Sequence, residues 1–129
     1  MVKVNENNSQ NTILKVLKGS LLAILASVLM LIILAAFLTY TNVNESVIPT
    51  VLIIITGISI LIGSQITTSS IKKNGILNGI LVGTIYIIML YLLSSAISKN
   101  FSLNNYSIIM IATSIIIGGL GGIIGVNRK

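Results

Sequence analysis

The chain has 129 residues, of which 54% are hydrophobic and only 8% are charged, and its mean hydropathy is +1.05. Because soluble domains usually carry about a quarter charged residues, this composition excludes an ordinary water-soluble fold. Eight Lys and Arg residues against two acids give a net charge of +6, and the absence of cysteine from the sequence excludes disulfides and thiolate metal sites.

The charged residues leave four long stretches of sequence without any charge, which are residues 19–44, 46–71, 74–98 and 100–127. A helix needs about 20 apolar residues, each rising about 1.5 Å, to cross about 30 Å of hydrocarbon. Every stretch is long enough. The alternative, a soluble four-helix bundle, needs a polar face on each helix, but residues 21–38 contain a single polar side chain, that of Ser27.

The sequence therefore predicts an all-α integral membrane protein, a four-helix transmembrane bundle that forms one domain over residues 19–127. The predicted spans are residues 19–40, 47–68, 76–98 and 107–126. Ser46 is expected to cap the second span, and Pro49 falls in its first turn, where a missing N–H costs nothing.

Residues 1–18 form a polar or interfacial segment before the first span. Residues 1–10 are polar and are expected to be disordered. Residues 11–18 are either a short interfacial helix on an anionic leaflet or an early start of the first span. The apolar part of that span is too long for a cleaved signal peptide, so we expect it to stay as an anchor.

The distribution of Lys and Arg predicts the orientation, because cytoplasmic flanks keep the positive charge. With the N-terminus inside, the outer side receives only Lys99, and the inner side receives Lys3, Lys15, Lys18, Lys72, Lys73, Arg128 and Lys129. Both termini are thus expected in the cytoplasm of a bacterium, with the protein in its plasma membrane. The aromatic residues Tyr40, Tyr91, Phe101 and Tyr106 fall near the outer ends of the spans. The basic charge is assigned to topology, so the expected partner is the lipid bilayer and not nucleic acid.

A glycine-rich stretch, GGLGGIIG, occupies residues 118–125 near the basic pair that ends the sequence. A phosphate-binding loop would need a preceding strand and a Lys followed by Ser or Thr, and the stretch has neither. Its spacing fits a helix whose side-chain-free face allows close backbone approach in lipid. That face, spanning roughly 100° at about 100° per residue, consists of Ser114, Gly118, Gly121, Gly122 and Gly125.

The other spans carry small-residue faces of different strength. The third has Gly75, Gly79 and Gly83 at four-residue spacing, and the second has Gly63 on one face with Thr56, Ser59 and Thr67. The first has only Ala23 and Ser27. We expect spans two to four to pack tightly and span one to be more exposed to lipid. The faces serve either internal packing or contact with a second copy or another membrane protein, for which Gly119, off the main face, is a candidate outward contact.

The residues needed for catalysis or proton-coupled transport are missing. The two acids, Glu6 and Glu45, are predicted on opposite sides of the bilayer, and the sequence has no histidine, so we expect no catalytic residue, no metal site and no cofactor. Gln65 and Asn78 are the carboxamides at membrane depth. They are either interhelical hydrogen-bonding groups or the lining of a polar vestibule. Tyr86 needs a hydroxyl partner, for which Thr56 and Ser59 are candidates.

Several short motifs occur in a recognisable order. These are Lys18-Gly19 before the leucine-rich span, Ile48-Pro49, Lys72-Lys73-Asn74-Gly75 with Gly79, and residues 118–127. In this order the chain resembles, over residues 12–127, the small four-span membrane protein family of Gram-positive bacteria, the YrzE-like group. The resemblance implies a plasma-membrane location and supplies no activity.

The functional prediction is a small noncatalytic accessory or assembly subunit that acts through glycine-mediated helix packing. The alternative is an oligomeric pore or facilitator, either holin-like or a small-solute channel, formed around Gln65 and Asn78.

Overall fold

Each charge-free stretch of the sequence forms one long helix. The computed structural model describes the backbone of residues 2–100 and 104–128, and the side chains of those from residue 10 onward. The helices are α1 (Val2–Tyr40), α2 (Ile48–Ile71), α3 (Gly75–Ser98) and α4 (Asn105–Asn127), with a 3₁₀ turn at Glu45–Val47 before α2. All four helices are long enough and apolar enough to cross a membrane, which confirms the prediction of an all-helical, four-span, multi-pass membrane protein.

The start of α2 differs from the prediction by a short turn. Pro49 lies in the first turn of α2, as its fixed φ and missing N–H favour. Ser46, however, lies inside the 3₁₀ turn, and Val47 precedes the helix with no side-chain cap. The expectation that Ser46 caps α2 is therefore wrong.

The connection between α2 and α3 is a tight turn of three residues. Lys72 and Asn74 both adopt left-handed backbone conformations, with φ of 58° and 46°. The N–H of Lys72 donates to the carbonyl of Thr68 at 2.8 Å and closes α2. This turn brings the end of α2 and the start of α3 to the same end of the bundle.

Helix α1 begins well before its apolar part. It is continuous from Val2, so the expectation of disorder is wrong for residues 2–10, and residues 11–18 are an early start of the first helix. Once the apolar part is helical, each added residue extends the helix without a new nucleation step. At about 1.5 Å per residue, its 39 residues extend to roughly twice the thickness of the hydrocarbon.

The helices do not contact one another equally. α4 contacts both α2 and α3, whereas α1 contacts α2 and α3 and, in the described residues, not α4. α1 also buries the smallest share of its apolar window. The prediction that the first span is the one most exposed to its surroundings is confirmed.

Small and hydroxyl side chains fill the interior, and large aliphatic ones face outward. Tyr86, Ile60 and Val82 are the largest of the wholly buried side chains, and the others in that group are Thr68, Ser20, Ser59, Ser64 and Ser114. Most Leu and Ile side chains are exposed. This distribution is the reverse of a soluble domain and is typical of helices that pack in lipid.

Candidate functional site

The most extensive contact between helices is a glycine seam between α3 and α4, formed by Gly75, Gly79 and Gly83 of α3 with Ser114, Gly118 and Gly122 of α4. A Cβ placed on Gly79 would overlap the carbonyl oxygen of Gly118, and one placed on Gly118 would overlap that of Gly79. Gly75 has the same relation to Gly122, and a Cβ on Gly83 would overlap the carbonyl of Ser114. The antiparallel backbones are therefore in direct contact at three successive positions, each four residues from the next.

The remaining glycines of α4 face a different helix. A Cβ on Gly121 would overlap the hydroxyl of Ser64, and one on Gly125 would overlap the hydroxyl of Thr68. Both Ser64 and Thr68 belong to α2. The single face predicted for α4 is thus divided between two neighbours, with Gly118 and Gly122 toward α3 and Gly121 and Gly125 toward α2.

A third close contact joins α1 to α2. A Cβ on Gly63 would lie 2.7 Å from the carbonyl oxygen of Gly19 and 2.8 Å from the Cβ of Ala23. Gly19 in turn faces Thr67. The sequence interpretation named Ala23 and Ser27 but missed Gly19, although the three residues stand at four-residue spacing.

Gly119 is buried against α3, which corrects the expectation that it faces outward. A Cβ on Gly119 would lie 3.4 Å from Cγ1 of Ile80, an ordinary van der Waals distance. With Gly57, which faces Ile117 of α4, each of the 11 glycines of the chain has a neighbour in another helix of the same chain. All the glycines therefore take part in packing between helices of the same chain.

Most of the buried hydroxyl groups bond to their own helices. Thr67 donates to the carbonyl of Gly63 at 2.8 Å, Thr68 to that of Ser64 at 2.7 Å, and Ser114 to that of Met110 at 2.7 Å. Each hydroxyl is satisfied one turn back and leaves a compact surface for the neighbouring helix. Van der Waals contact, rather than interhelical hydrogen bonding, joins these surfaces.

Gln65 and Asn78 have separate environments. The Asn78 side chain is buried, and its Nδ2 donates to the carbonyl of Lys73 at 2.8 Å, which ties the turn to the start of α3. Gln65 instead lines an open groove with Asn127 and Arg128. Asn78 is thus a local cap in the described structure, and the residues that line the groove at Gln65 do not include it.

The hydroxyl of Tyr86 is the one fully buried side-chain polar atom that lacks a hydrogen-bond partner among the described residues. Its ring is wholly buried at the junction of α1, α2 and α3. The hydroxyls of Ser27 and Thr56 lie near that of Tyr86 without reaching hydrogen-bond geometry. Ser59, the other candidate partner, donates to the carbonyl of Ile55 at 2.8 Å. Thr56 is therefore near the hydroxyl as expected, and Ser27 was missed.

The described residues contain no group of three or more His, Cys, Asp or Glu side chains that could hold a metal ion. At the end of the bundle opposite the α2–α3 turn lie Glu45, Lys99 and the two interfacial tyrosines Tyr40 and Tyr106, of which Tyr106 donates to the carbonyl of Pro49 at 3.4 Å. Phe101, predicted at the same interface, lies outside the described residues.

Comparison with known proteins supports the resemblance to an uncharacterised family. The model of a family described as "Protein of unknown function (DUF3792)" matches residues 12–125. No curated protein and no solved structure matches the chain.

The contrast between two adjacent glycines of α4 gives the first prediction. Gly118→Ala places a methyl group on the backbone of α3, and because backbone cannot move aside cheaply, we expect a loss of about 1–3 kcal/mol in the free energy of unfolding. Gly119→Ala, one residue away, meets only the flexible side chain of Ile80 and should cost less than about 1 kcal/mol. Unfolding in SDS, followed by circular dichroism, measures both. Equal losses of unfolding free energy in the two variants would contradict direct backbone contact at Gly118.

The second prediction concerns the unpartnered hydroxyl of Tyr86. Leaving a buried donor unsatisfied costs about 1–3 kcal/mol, so Tyr86→Phe should keep or increase stability in the same SDS titration. Tyr106→Phe is the control, because that hydroxyl is near the end of the bundle and bonds at 3.4 Å. A clear loss of stability in Tyr86→Phe would mean that the hydroxyl has a partner in the membrane.

Proposed function

The chain belongs to the DUF3792 family, and we propose that it is a small noncatalytic integral membrane protein that serves as an accessory or assembly subunit. The observation that carries the proposal is the combination of spans without ionisable side chains and a bundle fixed by backbone contact. Such a bundle lacks the groups that acid–base chemistry and proton coupling need. What it offers to other molecules is a rigid shape.

Glycine-mediated packing contributes to this function from inside the bundle. The seam between α3 and α4 and the contacts of α4 with α2 occupy the glycines of those helices. The outer faces are therefore held in fixed relative positions. A surface that is already ordered loses less conformational freedom when a partner binds.

The outer face of α1 is the surface best suited to a partner helix. Leu22, Leu25, Leu29 and Ile32 are all exposed and follow one another at spacings of three, four and three residues. This is the spacing of a coiled-coil seam, in which side chains of one helix insert between those of another. The partner in this proposal is a membrane helix, from a second copy or another protein.

A groove between the outer halves of α3 and α4 is a further place for side chains of a partner. It has a volume of about 420 Å³ and is lined mainly by apolar side chains, among them Leu90, Tyr91 and Met110. Association in lipid depends on such shape complementarity, since lipid gives apolar surfaces no hydrophobic reason to associate.

The alternative of an oligomeric pore or facilitator has no support of its own from the geometry of the single chain. Asn78 is engaged by the carbonyl of Lys73, and Gln65 borders a groove at the edge of the bundle. Neither supplies a polar path between the helices, so we favour the accessory role.

The proposed orientation places both termini in the cytoplasm of a bacterium, in the plasma membrane of the Gram-positive group that the sequence resembles. Its support is the clustering of described cations at one end, where Lys15, Lys18, Lys72, Lys73 and Arg128 lie, against Lys99 with Glu45 at the other. Cytoplasmic flanks carry the excess of Lys and Arg.

Single cysteines test this orientation, because the natural sequence has none. Asn42→Cys, in the exposed loop after α1, should react with a membrane-impermeant maleimide on intact cells. Ser70→Cys, at the exposed end of α2, should react only after the cells are opened. The reverse pattern would place the basic end outside and remove the proposed topology.

The partner surface is tested by paired substitutions on two exposed faces. In mild detergent the natural protein should migrate as a stoichiometric complex, and Leu25→Ala with Leu29→Ala should release the monomer by removing side chains from the seam. Leu77→Ala with Leu81→Ala makes the same chemical change on the exposed face of α3 and should leave the complex intact. A natural protein that migrates only as a monomer would refute the proposal, and so would equal effects of the two pairs.

A further inference from the structure

One end of the bundle carries a concentrated positive charge. Lys15 and Lys18 of α1, Lys72 and Lys73 of the turn and Arg128 after α4 all lie there, and among the described side chains at this end none is acidic. One of these charges is already engaged, since Lys15 Nζ donates to the carbonyl of Ser70 at the end of α2 at 3.2 Å. Arg128 has no such partner among the described residues.

An open groove between the ends of α2 and α4 lies within this basic region. We call it the α2–α4 groove; its volume is about 640 Å³, and its lining consists of Gln65, Ile123, Ile124, Asn127 and Arg128. Gln65 belongs to α2 and the other four residues follow α4 to its end. The side chains of Gln65, Asn127 and Arg128 make no hydrogen bond to another described residue.

The lining of the α2–α4 groove changes in polarity along the axis of α4. Ile123 precedes Asn127 by four residues, so the two lie on one stripe of α4 with a rise of about 6 Å, and Arg128 follows directly after the helix. The lining therefore passes from aliphatic side chains within α4 to polar ones at the end of the bundle. A molecule that matches both parts has an apolar chain joined to a polar, anionic head.

We propose that the α2–α4 groove binds an anionic glycerophospholipid. The guanidinium of Arg128 is positioned to meet the phosphate, for which its planar fork of donors is well suited. The carboxamides of Gln65 and Asn127 supply further donors to the headgroup. One acyl chain follows Ile123 and Ile124 along α4. Lys72 and Lys73, outside the groove, raise the local potential that attracts an anionic lipid.

A specific groove and a diffuse layer of positive charge predict different effects of substitutions. If attraction were only general, each cation at this end would contribute alike, because a basic side chain near an anionic surface acts mainly through its charge. In the groove, Arg128 binds the headgroup through the shape of its guanidinium as well as its charge. The uncharged side chain of Ile124 also affects lipid binding, because it shapes the apolar part of the groove. Charge-preserving and charge-removing variants therefore give different results.

The test uses the full chain, purified in mild detergent, with mixtures of phosphatidylglycerol and phosphatidylcholine, and measures the bound lipid by native mass spectrometry. The natural protein should retain phosphatidylglycerol in preference to phosphatidylcholine. Arg128→Gln should reduce that preference about fivefold. Lys73→Gln, at the same end of the bundle but outside the groove, removes an equal charge and should lower the preference clearly less.

Two further measurements make the outcome decisive. Ile124→Trp changes the apolar lining of the groove at constant charge and should reduce lipid retention, while Ile108→Trp, exposed near the other end of the same helix, should not. Inorganic phosphate and glycerol phosphate should compete weakly, because they lack the acyl chain. Equal retention of the two lipids, equal effects of Arg128→Gln and Lys73→Gln, or full competition by inorganic phosphate would each overturn the proposal. Circular dichroism of each variant establishes that it is folded.

Discussion

The structure depends on direct contact between two antiparallel backbones, those of α3 and α4. Lipid offers apolar side chains no advantage in leaving it, so helices in a membrane associate through dispersion contacts that require close approach. At Gly79 and Gly118 the approach is so close that neither position has room for a methyl group. The same helix α4 meets α2 through Gly121 and Gly125, a stripe offset by about 60° from the first. One helix with two side-chain-free stripes thus fixes the positions of its two neighbours.

The requirement for close approach also explains why polar side chains are inside and large apolar ones are outside. Ser is nearly as small as alanine and Thr has the size of valine, and most buried hydroxyls, such as those of Thr67 and Ser114, bond to a carbonyl of their own helix. These residues therefore act as spacers and need nothing from the neighbouring helix. Tyr86 is the exception, because its hydroxyl extends too far to reach its own backbone and finds no partner. It marks the one place in the described core where a bulky polar residue separates three helices.

Sequence patterns predicted the number of helices and their approximate bounds, because absence of charge over a membrane thickness is a strong local signal. They also placed Gly75, Gly79 and Gly83 on one stripe. They could not show which helix each stripe contacts, since a helical period of 3.6 residues defines the faces of a helix but not its neighbours. For this reason Gly121 was grouped with Gly118, and Gly119 was expected outside. The helix at residues 2–10 was missed because their polar composition resembles that of a disordered tail, and only attachment to the long α1 makes it helical.

The small residues are distributed unevenly along the bundle, and this gives its two ends different properties. The contacts of Gly19 with Thr67, Gly75 with Gly122 and Gly125 with Thr68 all lie toward the basic end. Toward the other end, α3 and α4 carry Leu90, Tyr91 and Met110 where glycine would permit contact, and a groove opens between them. The contact between α3 and α4 is therefore tight toward the basic end and wider toward the other. Because α3 and α4, held in backbone contact at one end, cannot meet at the other over such large side chains, the groove between them stays open.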